Sequence, residues 1–171
     1  MELIRECLFN FLVYSFMGWI IEGLFNLITS GSFLKSNFLI LPIKPMYGFA
    51  GALLILLYTH VPWKLFLLFT FLVPTLIEYL SAVYLEHVFN LHYWDYSHKP
   101  YHINGYVCLQ FSCYWIILSI ILVRWIHPII AHFYHWLLPV WPVSGFIMML
   151  CVITDFIFTS LHYQGINRKS T

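Results

Sequence analysis

The sequence has little charge. Lys and Arg supply 8 and Asp and Glu 7 of the 171 residues, so charged side chains make up 9% and the formal net charge is +1. A soluble domain carries about 25% charged residues. The low charge excludes a water-soluble globular domain and a disordered chain. The near-zero net charge excludes the basic surface with which proteins bind nucleic acid, so no nucleic-acid partner is expected.

Catalytic motifs are also missing from the sequence. It has no nucleophile elbow, no zincin helix motif and no glycine loop of the phosphate-binding type. Without a Walker A sequence, this chain cannot be the ATPase of a transporter. The sequence leaves open whether the chain is an enzyme, and it predicts no cofactor.

Apolar residues are abundant instead. They make up 61% of the chain, with 20% aromatic residues, whereas a soluble domain has about 45–50% apolar residues. We therefore predict an all-α integral membrane bundle that forms a single transmembrane domain over residues 1–171. Five stretches approach the roughly 20 residues needed to cross a bilayer, and we expect spans at residues 7–28, 46–60, 63–87, 104–126 and 138–161.

Two shorter segments interrupt this pattern. Residues 41–47 hold two prolines, which cannot continue a helix, and they predict a re-entrant or interfacial turn before the second span. Residues 129–137 are amphipathic and too short to cross, which predicts an interfacial helix between the last two spans. Five spans place the termini on opposite sides. The side that carries the C-terminus would hold five basic residues, Arg168 and Lys169 among them, and the other side three. This difference favours a cytoplasmic C-terminus.

Three acids lie near the middle of predicted spans: Glu22, Glu78 and Asp155. A charged acid at that depth costs about 2.5–3.5 kcal/mol. Few basic residues are available within the spans, so these acids must be protonated, hydrated or bound to a cation. We expect them to line a polar interior that forms a substrate or ion pathway. The alternative is a structural role, in which protonated acids donate hydrogen bonds between helices.

Small and polar side chains recur at helical spacing on one face of several spans. Trp19 belongs to such a stripe in the first span, and Asn104 and Ser112 belong to one in the fourth. We include these three in the predicted pathway. The alternative is that the polar stripes only join helices, because lipid offers no hydrogen bonds.

The loop after the third span is rich in aromatic residues and histidine. It carries the string Trp94-Asp95-Tyr96-Ser97 among four histidines, and Glu86 precedes it. The histidine spacing matches no standard metal motif, so no metal site is predicted. Aromatic residues favour the membrane interface, and an aspartate can cap a turn. We expect this loop to shape one mouth of the polar interior.

Several strings between residues 14 and 115 together resemble a known family. They are Gly18-Trp19 with Glu22, Pro42, Pro45, Tyr47-Gly48, Glu78, Glu86, Trp94-Asp95-Tyr96-Ser97 and Asn104-Gly105. The set is similar to the CmpB-like family of small polytopic membrane proteins, which is named for type IV ABC transporters. The resemblance implies a helical bundle and a permease-like role. Leu41 and Lys44 replace a glycine and a cysteine that are common in the family's turn.

Three functions follow from these observations. The first is a permease-like transport subunit with an acid-lined interior. The second is a membrane-embedded lipid-processing enzyme, in which Glu78 or Asp95 works with a loop histidine such as His92 or His98. The third is a non-catalytic assembly or regulatory subunit. The expected surroundings are the lipid bilayer of the cell membrane, which the chain would cross several times, and an ATPase, another membrane subunit or a second copy of the chain.

Overall fold

The computed structural model describes the backbone of residues 2–170 and the side chains of residues 2–166, so the side chains of Arg168 and Lys169 lie outside the described residues. Within this range the chain is mostly helical. The helices are α1 Glu2–Ser30, α2 Pro45–His60, α3 Trp63–Phe89, α4 Leu109–Ile121, α5 His127–Leu137 and α6 Trp141–Ser170. A π-helical turn, Leu122–Ile126, joins α4 to α5, and the strands β1 His102–Ile103 and β2 Val107–Cys108 form one short hairpin.

Four helices in the described part of the chain are long and apolar enough to cross a membrane. They are Glu2–Ser30, Trp63–Phe89, the continuous segment Leu109–Leu137 and Trp141–Ile166. The all-helical membrane class is therefore confirmed. Helix α2, with 16 residues, is shorter than the roughly 20 residues of a typical span.

The predicted interfacial helix at residues 129–137 does not stand apart from the fourth span. It is the last part of the continuous segment Leu109–Leu137. Pro128 lies just after the π-helical turn Leu122–Ile126. Proline lacks an N–H and its ring collides with the carbonyl four residues earlier. A π-turn widens the backbone locally, so the helix continues past Pro128 into the residues that were predicted as a separate interfacial helix.

The fourth span also begins later than predicted, at Leu109 instead of residue 104. The intervening residues form the β1–β2 hairpin, in which His102 pairs with Cys108. Its turn contains Asn104 and Gly105, with φ of 54° and 75°. Asn-Gly is a strong hairpin signal, because both residues tolerate positive φ. Asn104 therefore lies in a turn and not on a spanning helix.

Helices α1 and α2 cross at very short distance, because α2 has glycines where the two helices meet. Gly48 faces Ser15 and the backbone of Phe11, and Gly51 faces the ring of Tyr14. A Cβ atom at Gly48 would overlap both neighbours. Small residues allow this kind of approach between membrane helices, and it fixes the start of α2 against the middle of α1.

The outer surface of the bundle is apolar. Ile28, Phe146 and Leu161 are 84%, 65% and 64% exposed, which water would penalise but lipid tails would not. The interior core lies at the end of the bundle where α1 begins. There the ring of Phe9 packs edge-on against Trp141, with 4.9 Å between ring centroids. The polar groups described next lie away from this core.

Candidate functional site

Glu22 on α1 is paired with two lysines. Its Oε1 lies 2.9 Å from Lys35 Nζ and 2.8 Å from Lys44 Nζ. The side chains of Glu22 and Lys44 are only 13% and 10% exposed. The expectation that the acids have almost no basic partner is therefore wrong for Glu22, because the lysines come from the loop and not from a span.

The loop between α1 and α2 carries Lys44 into the bundle. The Lys44 backbone N–H donates to the Ser15 carbonyl at 2.8 Å. The Asn37 side chain donates to the carbonyls of Leu41 and Ile43, both at 3.0 Å. These bonds keep residues 41–44 non-helical and close to α1, as the two prolines predict. The signal for a buried cation was a lysine between prolines in an otherwise apolar segment.

Glu78 on α3 is held by two aromatic donors. Trp115 Nε1–H donates to its Oε2 at 2.9 Å, and the Tyr96 hydroxyl donates to its Oε1 at 3.1 Å. Glu78 is only 3% exposed. Both carboxylate oxygens therefore have partners, and neither partner carries a charge. Trp115 is a functional-site candidate that the sequence did not single out.

The Trp94-Asp95-Tyr96-Ser97 string forms a turn that directs Tyr96 toward Glu78. Asp95 accepts hydrogen bonds from the Ser97 backbone N–H at 2.8 Å and from the Ser97 hydroxyl at 2.9 Å. These bonds, the backbone one foremost, hold the pKa of Asp95 below its usual value. Trp94 Nε1–H donates to the Tyr106 carbonyl at 2.9 Å, which ties the turn to the hairpin.

Burial and the neighbouring Glu78 carboxylate raise the pKa of the Tyr96 phenol. Tyr96 therefore keeps its proton and remains able to donate to Glu78. The Tyr96 backbone N–H donates to the Gly105 carbonyl at 2.8 Å, so the side chain is anchored from the hairpin side. The loop motif thus closes over the bundle and places one hydroxyl inside it.

Glu22 and Glu78 face the same cavity, which has a volume of about 200 Å³. Lys35 also lines it. Seven aromatic side chains form most of the remaining wall: Phe25, Tyr47, Trp94, Tyr96, Phe111, Tyr114 and Trp115. We call this space the polar cavity after its charged side chains Glu22, Lys35 and Glu78, although aromatic and apolar side chains form most of its wall. It brings together two of the three predicted acids with the loop motif.

The third acid, Asp155 on α6, is not among the residues that line the polar cavity. Its carboxylate accepts the backbone N–H groups of Ile40 at 3.2 Å and Leu41 at 2.8 Å, and the Thr159 hydroxyl at 3.2 Å. Asp155 therefore fastens the loop before α2 to the last helix.

Trp19 and Ser112 also lie outside the polar-cavity lining. Trp19 packs against the ring of Phe33 with 5.3 Å between centroids. The Ser112 hydroxyl accepts from the Thr75 hydroxyl at 2.9 Å and donates to the Cys108 carbonyl at 3.2 Å. Ser112 thus joins α3 to α4, as the structural alternative for the polar stripes expected.

Asn104 and Glu86 have local partners. The Asn104 amide donates to the Tyr79 hydroxyl at 3.3 Å. The Glu86 carboxylate lies 3.7 Å from His92 Nδ1. In the part of the chain that the structure describes, no group of three or more His, Cys, Asp or Glu side chains could hold a metal ion.

A second, larger cavity lies beside the polar one. Its volume is about 470 Å³, and its walls come from α2, α3, α6 and residues 37–39, with Phe11 of α1, Lys44 and Tyr93. Met46 and Trp94 line both cavities, so they form the partition between them. The walls of the larger space are mostly apolar.

Comparison with known proteins adds one match. A family model described as "Putative ABC-transporter type IV" matches residues 9–160. No curated protein and no solved structure matches the chain. The matched residues include Glu22, Glu78 and the loop motif that encloses the polar cavity.

Proposed function

The chain belongs to the family described as "Putative ABC-transporter type IV", and we propose that it is a multi-pass subunit of the cell membrane. In this role it takes part in transport, and its polar cavity binds a small solute on the way across. The observation that carries the proposal is the polar cavity itself. It holds two acids and a lysine inside a bundle whose outer surface is apolar.

The cost of these charges supports a functional role. An ionised side chain within the bilayer is expensive, and such residues commonly mark pathways for substrates or ions. Hydrogen bonds between helices require only hydroxyls or amides, as at Ser112 and Thr75. A contact between helices does not require the ion pairs of Glu22 with its lysines or the two aromatic donors of Glu78.

We further propose five membrane crossings, with α2 as the short one. At 1.5 Å per residue, the 16 residues of α2 extend about 24 Å, most of the roughly 30 Å hydrocarbon core. Five crossings place the termini on opposite sides. Alkaline phosphatase and green fluorescent protein fusions at each end would test this: opposite reporter activity supports five crossings, and like activity contradicts them.

The energy source would lie on another chain, because this sequence has no Walker A motif. We propose an ATPase or another membrane subunit as the partner. Extraction of the native membrane in mild detergent, followed by mass spectrometry, tests this. A stoichiometric ATPase supports the subunit role. A homo-oligomer that carries only lipid contradicts it and leaves a stand-alone carrier or channel.

For the lipid-enzyme alternative, no hydrogen bond within the described residues joins the proposed acids to the proposed histidines, although His98 lies near Asp95. This alternative requires Glu78 or Asp95 to work with His92 or His98. Instead, Glu78 accepts from Tyr96 and Trp115, and Asp95 accepts from Ser97. The geometry therefore favours solute binding over acid–base catalysis.

Solute flux tests the transport role and also separates it from an assembly role. Proteoliposomes containing the detergent-extracted complex are loaded with a defined mixture of small polar metabolites, and their release is followed by mass spectrometry. We expect selective release of one chemical class. Glu78→Gln should abolish this release. The control Glu6→Gln, which changes an acid on the same helix as Glu22, should leave it intact. Equal retention of every component by the native complex would contradict transport. Unchanged flux in a folded Glu78→Gln protein would make that acid structural.

A further inference from the structure

We propose that the polar cavity binds a small zwitterion that has a methylated ammonium at one end and a carboxylate at the other. This inference rests on the proposed function and names its substrate class. The ammonium would lie among the aromatic rings next to Glu78. The carboxylate would pair with Lys35.

The aromatic wall is suited to a cation without N–H groups. Seven of the thirteen side chains that line the polar cavity are aromatic, against 20% of the whole chain. The wall is built from ring pairs: Tyr96 stacks on Phe111 at 4.7 Å, and Tyr47 meets Trp115 at 5.2 Å. Aromatic faces attract cations, and aromatic cages recognise quaternary ammonium groups.

When ionised, Glu78 supplies the negative charge of this cavity. Its two hydrogen-bond donors, Tyr96 and Trp115, are neutral, and no ion pair joins it to a lysine or arginine in the described residues. A buried carboxylate without a cation is poorly compensated. A ligand cation in the cavity would compensate it. A methylated ammonium has no N–H groups to satisfy, so it fits a wall made mostly of aromatic rings.

The Glu22 ion-pair group, whose Lys35 lines the same cavity, carries an excess of positive charge. Lys35 and Lys44 share a single oxygen of Glu22, so this group has two positive charges and one negative. Lys35 lines the cavity and its side chain is 32% exposed. Because Lys44 also pairs with Glu22, the Lys35 ammonium can turn toward a ligand carboxylate while Glu22 keeps a cation. Lys35 and the Glu78 carboxylate, which line one cavity, together match a dipolar ligand.

The size of the cavity agrees with a small solute. Its volume is about 200 Å³, whereas pockets for drug-sized ligands have about 300–1,000 Å³. A trimethylated amino acid is much smaller than such ligands. The larger, apolar cavity beside it has no pair of opposite charges.

Binding to the purified full-length protein tests the inference, with four probes that separate its parts. Glycine betaine has both charges and the methyl groups. 3,3-Dimethylbutanoate has the same shape without the positive charge, tetramethylammonium lacks the carboxylate, and glycine lacks the methyl groups. We expect calorimetry to show glycine betaine binding at least tenfold more tightly than the other three.

Substitutions assign the two ends of the ligand. Lys35→Gln should weaken glycine betaine at least tenfold and leave tetramethylammonium unchanged, whereas Glu78→Gln should weaken both. Phe111→Leu should also weaken both. Lys64→Gln and Phe146→Leu, which change exposed side chains outside the cavity, are the matched controls. Size-exclusion profiles confirm that each variant is folded.

Equal affinities for glycine betaine and 3,3-dimethylbutanoate would overturn the inference, as would no binding of either. If tetramethylammonium bound as tightly as glycine betaine, the proposed pairing of the ligand carboxylate with Lys35 would be overturned. The outcome is separable from that of the transport role. Selective flux of another solute without betaine binding removes only the substrate class, while betaine binding without any flux removes only transport.

Discussion

The carboxylates of Glu22, Glu78 and Asp155 are each satisfied by a different kind of donor. Glu22 has two ammonium groups, Glu78 has an indole and a phenol, and Asp155 has two backbone amides and a hydroxyl. In the sequence the three acids are alike, because each lies near the middle of a predicted span. The partners give them different roles: Glu22 and Glu78 face the polar cavity, and Asp155 anchors a loop.

Removing the charge of Glu22 should destabilise the protein. Glu22→Gln leaves the nearly buried Lys44 without its carboxylate, and breaking one side of a buried ion pair costs about 3–5 kcal/mol. We expect a loss of this size in the free energy of unfolding in detergent. The double variant Glu22→Gln/Lys44→Met should recover most of it. A fully stable Glu22→Gln protein would contradict the pairing.

Asp155→Asn should loosen the loop before α2 and leave the polar cavity intact. Ile40 and Leu41 donate to different carboxylate oxygens, and asparagine keeps only one oxygen, so its NH₂ leaves one of the two N–H groups without an acceptor. A buried donor left without its acceptor costs about 1–3 kcal/mol. Hydrogen exchange at Ile40 and Leu41 should accelerate. Thr159→Val, which removes only the hydroxyl donor, should change these two amides much less.

At the scale of elements, the crossing of α1 and α2 determines where the Lys44 ammonium lies. The short distance at Gly48 brings the start of α2 onto α1, and Lys44 immediately precedes that start. The pairing of Lys44 with Glu22 therefore depends on the absence of a side chain at Gly48.

Gly48→Ala should weaken this crossing. The added Cβ overlaps Ser15 Oγ and the Phe11 carbonyl, and the latter belongs to the backbone and cannot turn away. Overpacking of this kind costs about 1–3 kcal/mol. Gly165→Ala is the matched control, because nothing lies within 4 Å of its Cβ. Thermal unfolding of both variants should show a lower midpoint for Gly48→Ala only.

The turn at residues 94–97 should depend on pH. Its Asp95 has a pKa below the ordinary 3.8 because it accepts the Ser97 hydrogen bonds. A lowered pKa in the folded state means that the carboxylate stabilises the turn at higher pH. This stabilisation is lost as pH falls through the lowered value. Protection of the Ser97 amide should therefore hold down to pH 3.8 and decrease below it, and Asp95→Ala should show low protection throughout. Protection that is constant to lower pH would contradict this.

Long apolar runs made the spanning helices predictable. The predicted spans at 7–28 and 63–87 lie within α1 and α3, and the span at 138–161 overlaps α6. The β1–β2 hairpin was missed because Asn104 was assigned to a helical stripe, although Asn104-Gly105 is a turn signal. The segment at 129–137 was predicted as a separate interfacial helix, because the π-turn that joins it to α4 leaves no pattern in hydropathy.

At the scale of the whole molecule, the polar cavity exists only because distant segments meet. Glu78 on α3 takes its donors from the loop that follows it and from α4, and Glu22 on α1 takes its lysines from the next loop. Periodicity places each acid on a face of its own helix. It does not determine which faces meet, because that depends on the order of helices in the bundle. The acids could be predicted as candidates, and their partners could not.

Transport through the polar cavity requires that water-soluble molecules reach it from one side of the membrane, and thiol labelling measures this most directly. In a protein with its four cysteines replaced, a cysteine is introduced at Leu118, which lines the cavity, or at Ile117, which is 58% exposed on the outer surface. We predict that a membrane-impermeant thiol reagent labels Leu118→Cys from one side of the bilayer and leaves Ile117→Cys unlabelled. A Leu118→Cys protein that is folded and labelled from neither side would contradict transport through the polar cavity, because the cavity would then be closed to any solute.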